Sequence, residues 1–301
     1  MTQQPNASPQ GTARALRPVR FDGERLYALP LSMPQAHVDA ETFIVEAESA
    51  MARAQQEGAA LAYGFVDSRS ADRIFARLGW TSLGRAPRLI RPLRLAATLP
   101  WLPLPNAAKF VLPKTPLLLP FGRERRPGFR EITTPDPRMT RLWDRFSIDV
   151  GVAIERSAKF VEERVFARKS TADRIFIFED GDRYVIRAMC IFRIVSEGAI
   201  VRGHVLEVLH DRSVAGMRAA SHLLGIALRE MSDAGAESAV AWSLVHSGSF
   251  PLLARHAFVS APLSEPTPEL HLGVRAFDPK VDELVRQRHC WYLSGLDFDD
   301  A

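Results

Sequence analysis

The sequence predicts an α/β (α+β) protein of two tandem lobes, each a mixed sheet flanked by helices, with the first lobe incomplete. Three observations predict it. From Ala199 to Phe258 the chain reads as an apolar strand, a long amphipathic helix, a second apolar strand and a short helix ending in Ala-Phe. A shorter echo runs from Glu41 to Trp80. The segments EGAALAYGFVDSRSADRIFARLGW and AGAESAVAWSLVHSGSFPLLARHAF then align in order. Both carry an aromatic in the strand (Tyr63, Trp242) and Val before x-Ser-x-Ser (Val66, Ser68, Ser70; Val245, Ser247, Ser249). Both continue through an Ala-Arg step to a small-aromatic stop (Gly79-Trp80, Ala257-Phe258).

Taken in order, residues 1–18 are polar and rich in Pro, Gly, Ser and Gln, and are expected to form a disordered tail. Asp22-Gly23 marks a turn into a strand that Pro34 interrupts. AETFIVEAESAMARAQQEG places Phe43, Ala47, Ala50, Met51 and Ala54 on one helical face, with Gly58 as its stop. ALAYGFV is a buried type of strand, and SRSADRIFARL a helix that Ser68 or Ser70 could cap and Gly79 ends. A strand around Pro87 to Leu93 is expected to close this lobe. With one strand before its helix against three in the second lobe, the first lobe is expected to be short at its N-terminal side.

Residues 92–128 are dense in proline yet rich in Leu, Trp and Phe. The prolines exclude a continuous helix or a central strand. The plain reading is a strap packed between lobes; the sharper one is a surface touching membrane, since Lys109, Lys114, Arg123, Arg125 and Arg126 flank apolar runs. The second lobe opens with the helix MTRLWDRFSIDVG and a short element reaching Arg164. RIFIFED, Gly181-Asp182 and RYVIRAMCIFRIV make a hairpin, and Glu197-Gly198 turns into AIVRGHVLEVLHD. A strand at LHLGVRAF, a helix from Asp278 to Arg288 and the ending CWYLSGLDFDDA follow the repeat unit. The expected division is a tail at 1–18, a partial lobe at 19–95, the strap at 96–128 and a lobe at 129–301.

The 301 residues are 47% hydrophobic and 25% charged, as for a globular protein. A net charge of +4 favours anionic ligands without choosing among them. Basic residues are dispersed, which argues against nucleic acid as a partner. Cys190 and Cys290 are far apart with no Cys-x-x-Cys pair, so a disulfide framework or structural zinc is not expected. No apolar leader core and no run long enough to span a bilayer is present, and a cytoplasmic location is expected. No Ser-His-Asp order, metal-spaced set or Walker loop appears.

RIFARLGW with its preceding VDSRS, the strand order of the second lobe and the closing CWYLSGLDFDD resemble the GCN5-related N-acetyltransferase (GNAT) superfamily. The resemblance is to its double-lobed members associated with envelope polysaccharide work, and covers roughly residues 21–95 and 130–300. It implies acetyl-CoA or a longer acyl-CoA as co-substrate, no metal, and transfer to an amine-bearing small molecule, glycan or lipid precursor. It also implies a cofactor wedged between two splayed strands, with its pyrophosphate on the N-terminus of the long helix, where free N–H groups and the helix dipole favour an anion. The alternative is a catalytically degenerate GNAT pair acting as a binding or scaffold module.

The pyrophosphate loop departs from the family pattern. One register spans Ala215 to Ala220, with Arg218 and Ala220 where glycines belong. The other starts at Arg212, with Ala215 and Met217 at the glycine positions and Gly216 one place out. In the first lobe, Gln35 to Phe43 holds no glycine. The candidate cofactor-binding residues are therefore Arg212, Ala215, Gly216, Met217 and Arg218, with His246 and Ser247 after the following strand. The plainer alternative is a normally capped helix with no ligand. Glu207 is the candidate base, on a strand whose alternation puts Val205, Glu207 and Leu209 on one face; the alternative is an ion-paired glutamate. His210 and Tyr292 complete the catalytic candidates, each with a plain alternative as a strand-end polar residue or core aromatic.

Overall fold

The computed structural model describes residues 16–32, 40–94, 117, 125–167, 172–181, 184–198, 200–261 and 269–298. The expected tail and most of the strap fall outside the described residues. Two compact units emerge, each drawn from separate stretches: Met1–Val19, Arg25–Arg85 and Pro268–Arg288 in one; Arg20–Glu24, Ala86–Thr267 and His289–Ala301 in the other.

In the first unit's sheet, β1 (Arg17–Phe21) and β2 (Glu24–Ser32) meet at Asp22-Gly23, both at positive φ (45° and 86°). Two strands thus precede helix α1 (Ala40–Gln56), one more than expected. The helix buries Phe43, Ala47, Ala50, Met51 and Ala54 as its periodicity requires, and Ile44 with them. Strand β3 (Leu61–Asp67) is buried through Val66. Helix α2 (Ser68–Leu78) is capped by Asp67, which accepts from Arg69 N at 2.7 Å, and neither Ser68 nor Ser70 does so. A carboxylate one residue earlier reaches the free amides first.

The second unit carries β6 (Phe129–Ile132), α3 (Arg138–Phe146), β7 (Val152–Ile154), and α4 (Ala158–Val161), which runs into a π-helical turn at Glu162–Phe166. The hairpin β8 (Asp173–Asp180) and β9 (Val185–Glu197) is present, followed by β10 (Ile200–His210), α5 (Val214–Asp233), β11 (Ser238–Trp242), α6 (Phe250–Arg255) and β12 (Val259–Ser260). Ala220, Leu223, Leu224, Ala227 and Met231 of α5 pack with Val205 and Val208 of β10 in one apolar cluster.

Two strands change places relative to the expected division. Strand β5 (Arg88–Pro92), expected to close the first lobe, pairs antiparallel with β11, from Ser238↔Pro92 to Trp242↔Arg88. Strand β13 (Leu270–Ala276) pairs antiparallel with β3 in the first sheet, from Leu270↔Asp67 to Ala276↔Leu61. With β4 (Thr81–Arg85), the first unit's strands run β4-β13-β3-β2-β1 and the second sheet runs β12-β5-β11-β10-β9-β8-β6. Each inserted strand sits between a repeat's core strand and the strand after its short helix. Alternating apolar residues specify a strand's face and not the sheet that receives it.

The repeat is exact enough to include its stops. Gly79 and Ala257 both turn left-handed, at φ 63° and 58°. Trp80 N then bonds Phe75 O at 2.8 Å, and Phe258 N bonds Leu253 O at 3.1 Å. This is the same carbonyl-capping pattern in both copies.

Candidate functional site

Parallel strands β10 and β11 pair from Arg202↔Ser238 to Val205↔Ala241 and no further, although β10 continues to His210 on β9. At that point β10 carries a bulge: Val205 opposes Phe192 and Glu207 opposes Ile191, so Leu206 is the extra residue. Val205 and Glu207 are therefore consecutive rungs on opposite faces, which corrects the strict alternation expected. Val205 turns to α5, and Glu207 turns to the other side of the sheet. In the first unit β2 and β3 stay paired to Ser32↔Phe65, and a Cβ on Gly64 would fall 1.6 Å from Leu31 O. Of these two parallel pairs, β10 and β11 part within their described length.

The C-terminal segment lies where these strands part. The backbone of Gly295 rests on β10, where a Cβ would come within 2.9 Å of Leu206 Cα. Phe298 stacks on Trp242, the last residue of β11, with ring centroids 4.5 Å apart. Arg164 donates to the carbonyls of Leu296 (2.8 Å) and Phe298 (3.0 Å).

Glu207 is the hub that ties this segment to β10. Its Oε2 accepts from Arg156 Nε at 2.8 Å and Ser294 Oγ at 2.7 Å. Its Oε1 accepts from the Tyr292 hydroxyl and from Val208 N at 3.0 Å. Arg156 also donates to Ile154 O (2.8 Å) and to Asp297 Oδ2 (2.6 Å), which in turn accepts from Ser294 N at 2.8 Å. Arg156 has no exposed surface and Glu207 only 2%. Trp143, Phe160 and Tyr292 surround the guanidinium. Burial works against that charge, but Asp297 and Glu207 raise its pKa. Burial, then the charge on Glu207, pushes the Tyr292 phenol well above its ordinary range, so it stays a donor. With four donors on two oxygens, Glu207 has the geometry of the ion-paired alternative and no acceptor position left for a substrate proton. Asp297 Oδ1 is buried with no partner among the described residues.

At the expected pyrophosphate loop the chain's own carboxylate bonds the cap of α5. Ser213 caps α5, its Oγ accepting from Gly216 N at 2.9 Å. Asp211 Oδ1 accepts from Ser213 N (3.1 Å) and Ser213 Oγ (2.5 Å), while Oδ2 accepts from Arg187 at 2.7 Å. Burial opposes that charge, yet the bonds from Ser213 and Arg187 hold the Asp211 pKa below its ordinary value. A Cβ on Gly216 would fall 2.0 Å from Asp211 Oδ1. The missing side chain thus admits Asp211. Ala215, Met217 and Arg218 are exposed on the same turn. Arg212, at φ 63°, lays its guanidinium on the Phe146 ring and donates to Phe146 O at 2.8 Å.

His210 is buried at the strand end, its Nδ1 accepting from Arg212 N at 3.1 Å. Burial and the positive charge of Arg212 lower its pKa, so the ring is neutral at pH 7. His246 is exposed, its ring 6.4 Å from that of His289. Ser247 is buried beside Ser249, their hydroxyls 3.3 Å apart, and Ser249 bonds the Tyr292 side chain. Neither serine side chain caps α6. The fold thus brings Glu207 and Tyr292 together, sets His210 near them across the Phe146 ring, and sets Ser247 near them through Ser249. Arg156, Ser294 and Asp297 were not among the candidates, although Ser294-x-x-Asp297 is a capping-box spacing and Asp297 lies in the tail motif. Among the described residues no three His, Cys, Asp or Glu side chains group as a metal site.

No family model and no curated protein matches the chain. Solved structures do. The chain is similar to the N-myristoyltransferase of Saccharomyces cerevisiae with bound myristoyl-CoA, at TM-score 0.58 and 12% identity over 88% of this chain. It is similar to a GCN5-related N-acetyltransferase from Anabaena variabilis at TM-score 0.54 and 9% identity over 87%. It is also similar to a probable N-acyltransferase from Enterococcus faecalis at TM-score 0.50 and 13% identity over 87%. The fold is GNAT-like, in two tandem lobes. The chain spans 66%, 58% and 57% of those three proteins respectively. No helix among its described residues is long and apolar enough to cross a membrane.

Proposed function

We propose that the second unit is an acyl-CoA-dependent N-acyltransferase, with the thioester held where β10 and β11 part. The parting at Val205/Ala241, beside a bulge, is the observation that carries this reading. Its likeness to a fold that holds myristoyl-CoA in yeast supports it. In this reading the acceptor amine attacks the thioester carbonyl, a C–N bond forms as the C–S bond breaks, and coenzyme A departs as the thiolate. Tyr292 and Ser294 line the acceptor side, and Asp297, whose buried Oδ1 has no partner among the described residues, takes the amine proton in place of Glu207. Glu207 positions both. The acceptor is an amine on a glycan or lipid precursor of the cell envelope, a choice supported by the tail resemblance and by the basic charge of +4. The reaction takes place in the cytoplasm.

Calorimetry and thermal shift with acetyl-CoA and longer acyl-CoAs test this. A ligand that binds the folded state raises the melting temperature by mass action. Absence of binding at millimolar concentration would sink the enzyme reading. Asp297→Asn should retain binding and lose turnover.

A second reading, a non-catalytic binding module, has its own support in Asp211, which lies at the helix start where a pyrophosphate would go. Under it, acyl-CoA neither binds nor stabilises, and Asp297→Asn leaves cellular function intact.

A further inference from the structure

Arg212 knits three turns of the second unit together. Its Nε donates to Phe146 O, its Nη1 lies 4.0 Å from Asp149 Oδ2, and a Cβ on Gly248 would sit 3.2 Å from that same Nη1. Each turn leaves a large aliphatic side chain exposed: Ile148 at 71%, Val214 at 60% and Val245 at 57%, with Met217 at 40% one helical turn beyond Val214. These are four of the nine large hydrophobics exposed among the described residues, gathered around one arginine. Scattered exposed aliphatics need no explanation, but a cluster on loop tips does.

Arg218 and His246 are exposed on two of the same turns, and Arg212 is half-buried at their centre. Asp149 is the acidic group beside them, its side chain 74% exposed, and Arg212 already offsets it. The surface is therefore aliphatic at its tips and positive at its base. Aliphatic tips enter the boundary of the acyl chains, and arginines favour anionic headgroups at about 1 kcal/mol each.

We propose that these three turns form a docking surface for a bilayer bearing anionic lipid. The proposal rests on these three turns and not on acyl transfer. Inserted side by side, the tips of Ile148, Val214 and Val245 orient the start of α5 toward the lipid.

Co-sedimentation of the full chain with vesicles tests this, using phosphatidylcholine alone or mixed with phosphatidylglycerol. The chain should pellet with the mixed vesicles and far less with phosphatidylcholine alone. The triple variant Ile148→Glu, Val214→Glu, Val245→Glu should lose about tenfold or more in binding, with its circular dichroism unchanged because all three positions are exposed. Arg218→Ala should weaken binding to the anionic vesicles by about fivefold. Wild-type protein staying in the supernatant with both vesicle types overturns the proposal, as does a triple variant that pellets normally. Displacement from vesicles by inorganic phosphate at constant ionic strength also overturns it, since the basic side chains would then be reading phosphate alone. Acyl-CoA calorimetry is read on the wild-type chain, because Arg218 and the start of α5 also form the candidate pyrophosphate site.

Discussion

Arg156 Nε meets Glu207 Oε2 at 2.8 Å with both side chains sealed from solvent. An ion pair in that setting gives little net stability against an apolar substitute, because taking both charges out of water is costly. Its breakage by single truncation is a different matter. Arg156→Met leaves Glu207 and Asp297 buried and uncompensated, and should cost about 3–5 kcal/mol in urea unfolding. Arg156→Lys keeps the charge but loses the fork that serves Glu207, Ile154, Ser294 and Asp297 at once, so it should recover only part of that loss.

Gly216→Ala should destabilise the protein by roughly 1–3 kcal/mol, because its methyl would land on Asp211 Oδ1. In the background of Asp211→Ala the same change should cost far less. A double-mutant cycle measures the difference, and additive energies would show that the two side chains do not compete.

Ala257 occupies the left-handed stop that glycine fills at position 79. Ala257→Gly should therefore stabilise the fold by about 1 kcal/mol, and Gly79→Ala should destabilise it by a similar amount. Thermal unfolding of the two variants reads opposite signs.

His256 is buried against Ser221, with its Nε2 2.9 Å from the hydroxyl. Burial, then the charge of Arg91, lowers its pKa to about 4. The unfolded chain binds this proton near the ordinary value of about 6.5. Stability from the neutral ring is thus present above about pH 6.5 and lost as the pH falls toward 4, on the order of 3 kcal/mol in all. His256→Asn should flatten that part of the stability–pH profile; an unchanged slope would assign the acid sensitivity elsewhere.

The elements that could be read in the sequence are those set by local chemistry. The apolar face of α1, the hairpin turns and the glycine stops at Gly58 and Gly79 each depend on residues a few places apart. The repeat was legible for the same reason. What escaped was set by distance. Leu89 and Ile90 alternate as well for one sheet as for the other, and only the register with β11 decides. Arg156 stands 51 residues from Glu207 and 141 from Asp297, and nothing in a lone arginine after Val-Ala-Ile-Glu marks a hub. The bulge at Leu206 likewise shows only in the pairing with β9, which is why Glu207 read as a same-face partner of Val205.

The crossed placement of β5 and β13 also sets a timetable for synthesis. Strand β3 leaves the ribosome as residue 67, yet its antiparallel neighbour ends at Ala276, so one edge of that strand stays unpaired while some two hundred further residues are made. An exposed strand edge is a template for another chain. Until Leu270–Ala276 is made, that edge of β3 is the place where a second nascent chain would pair most readily.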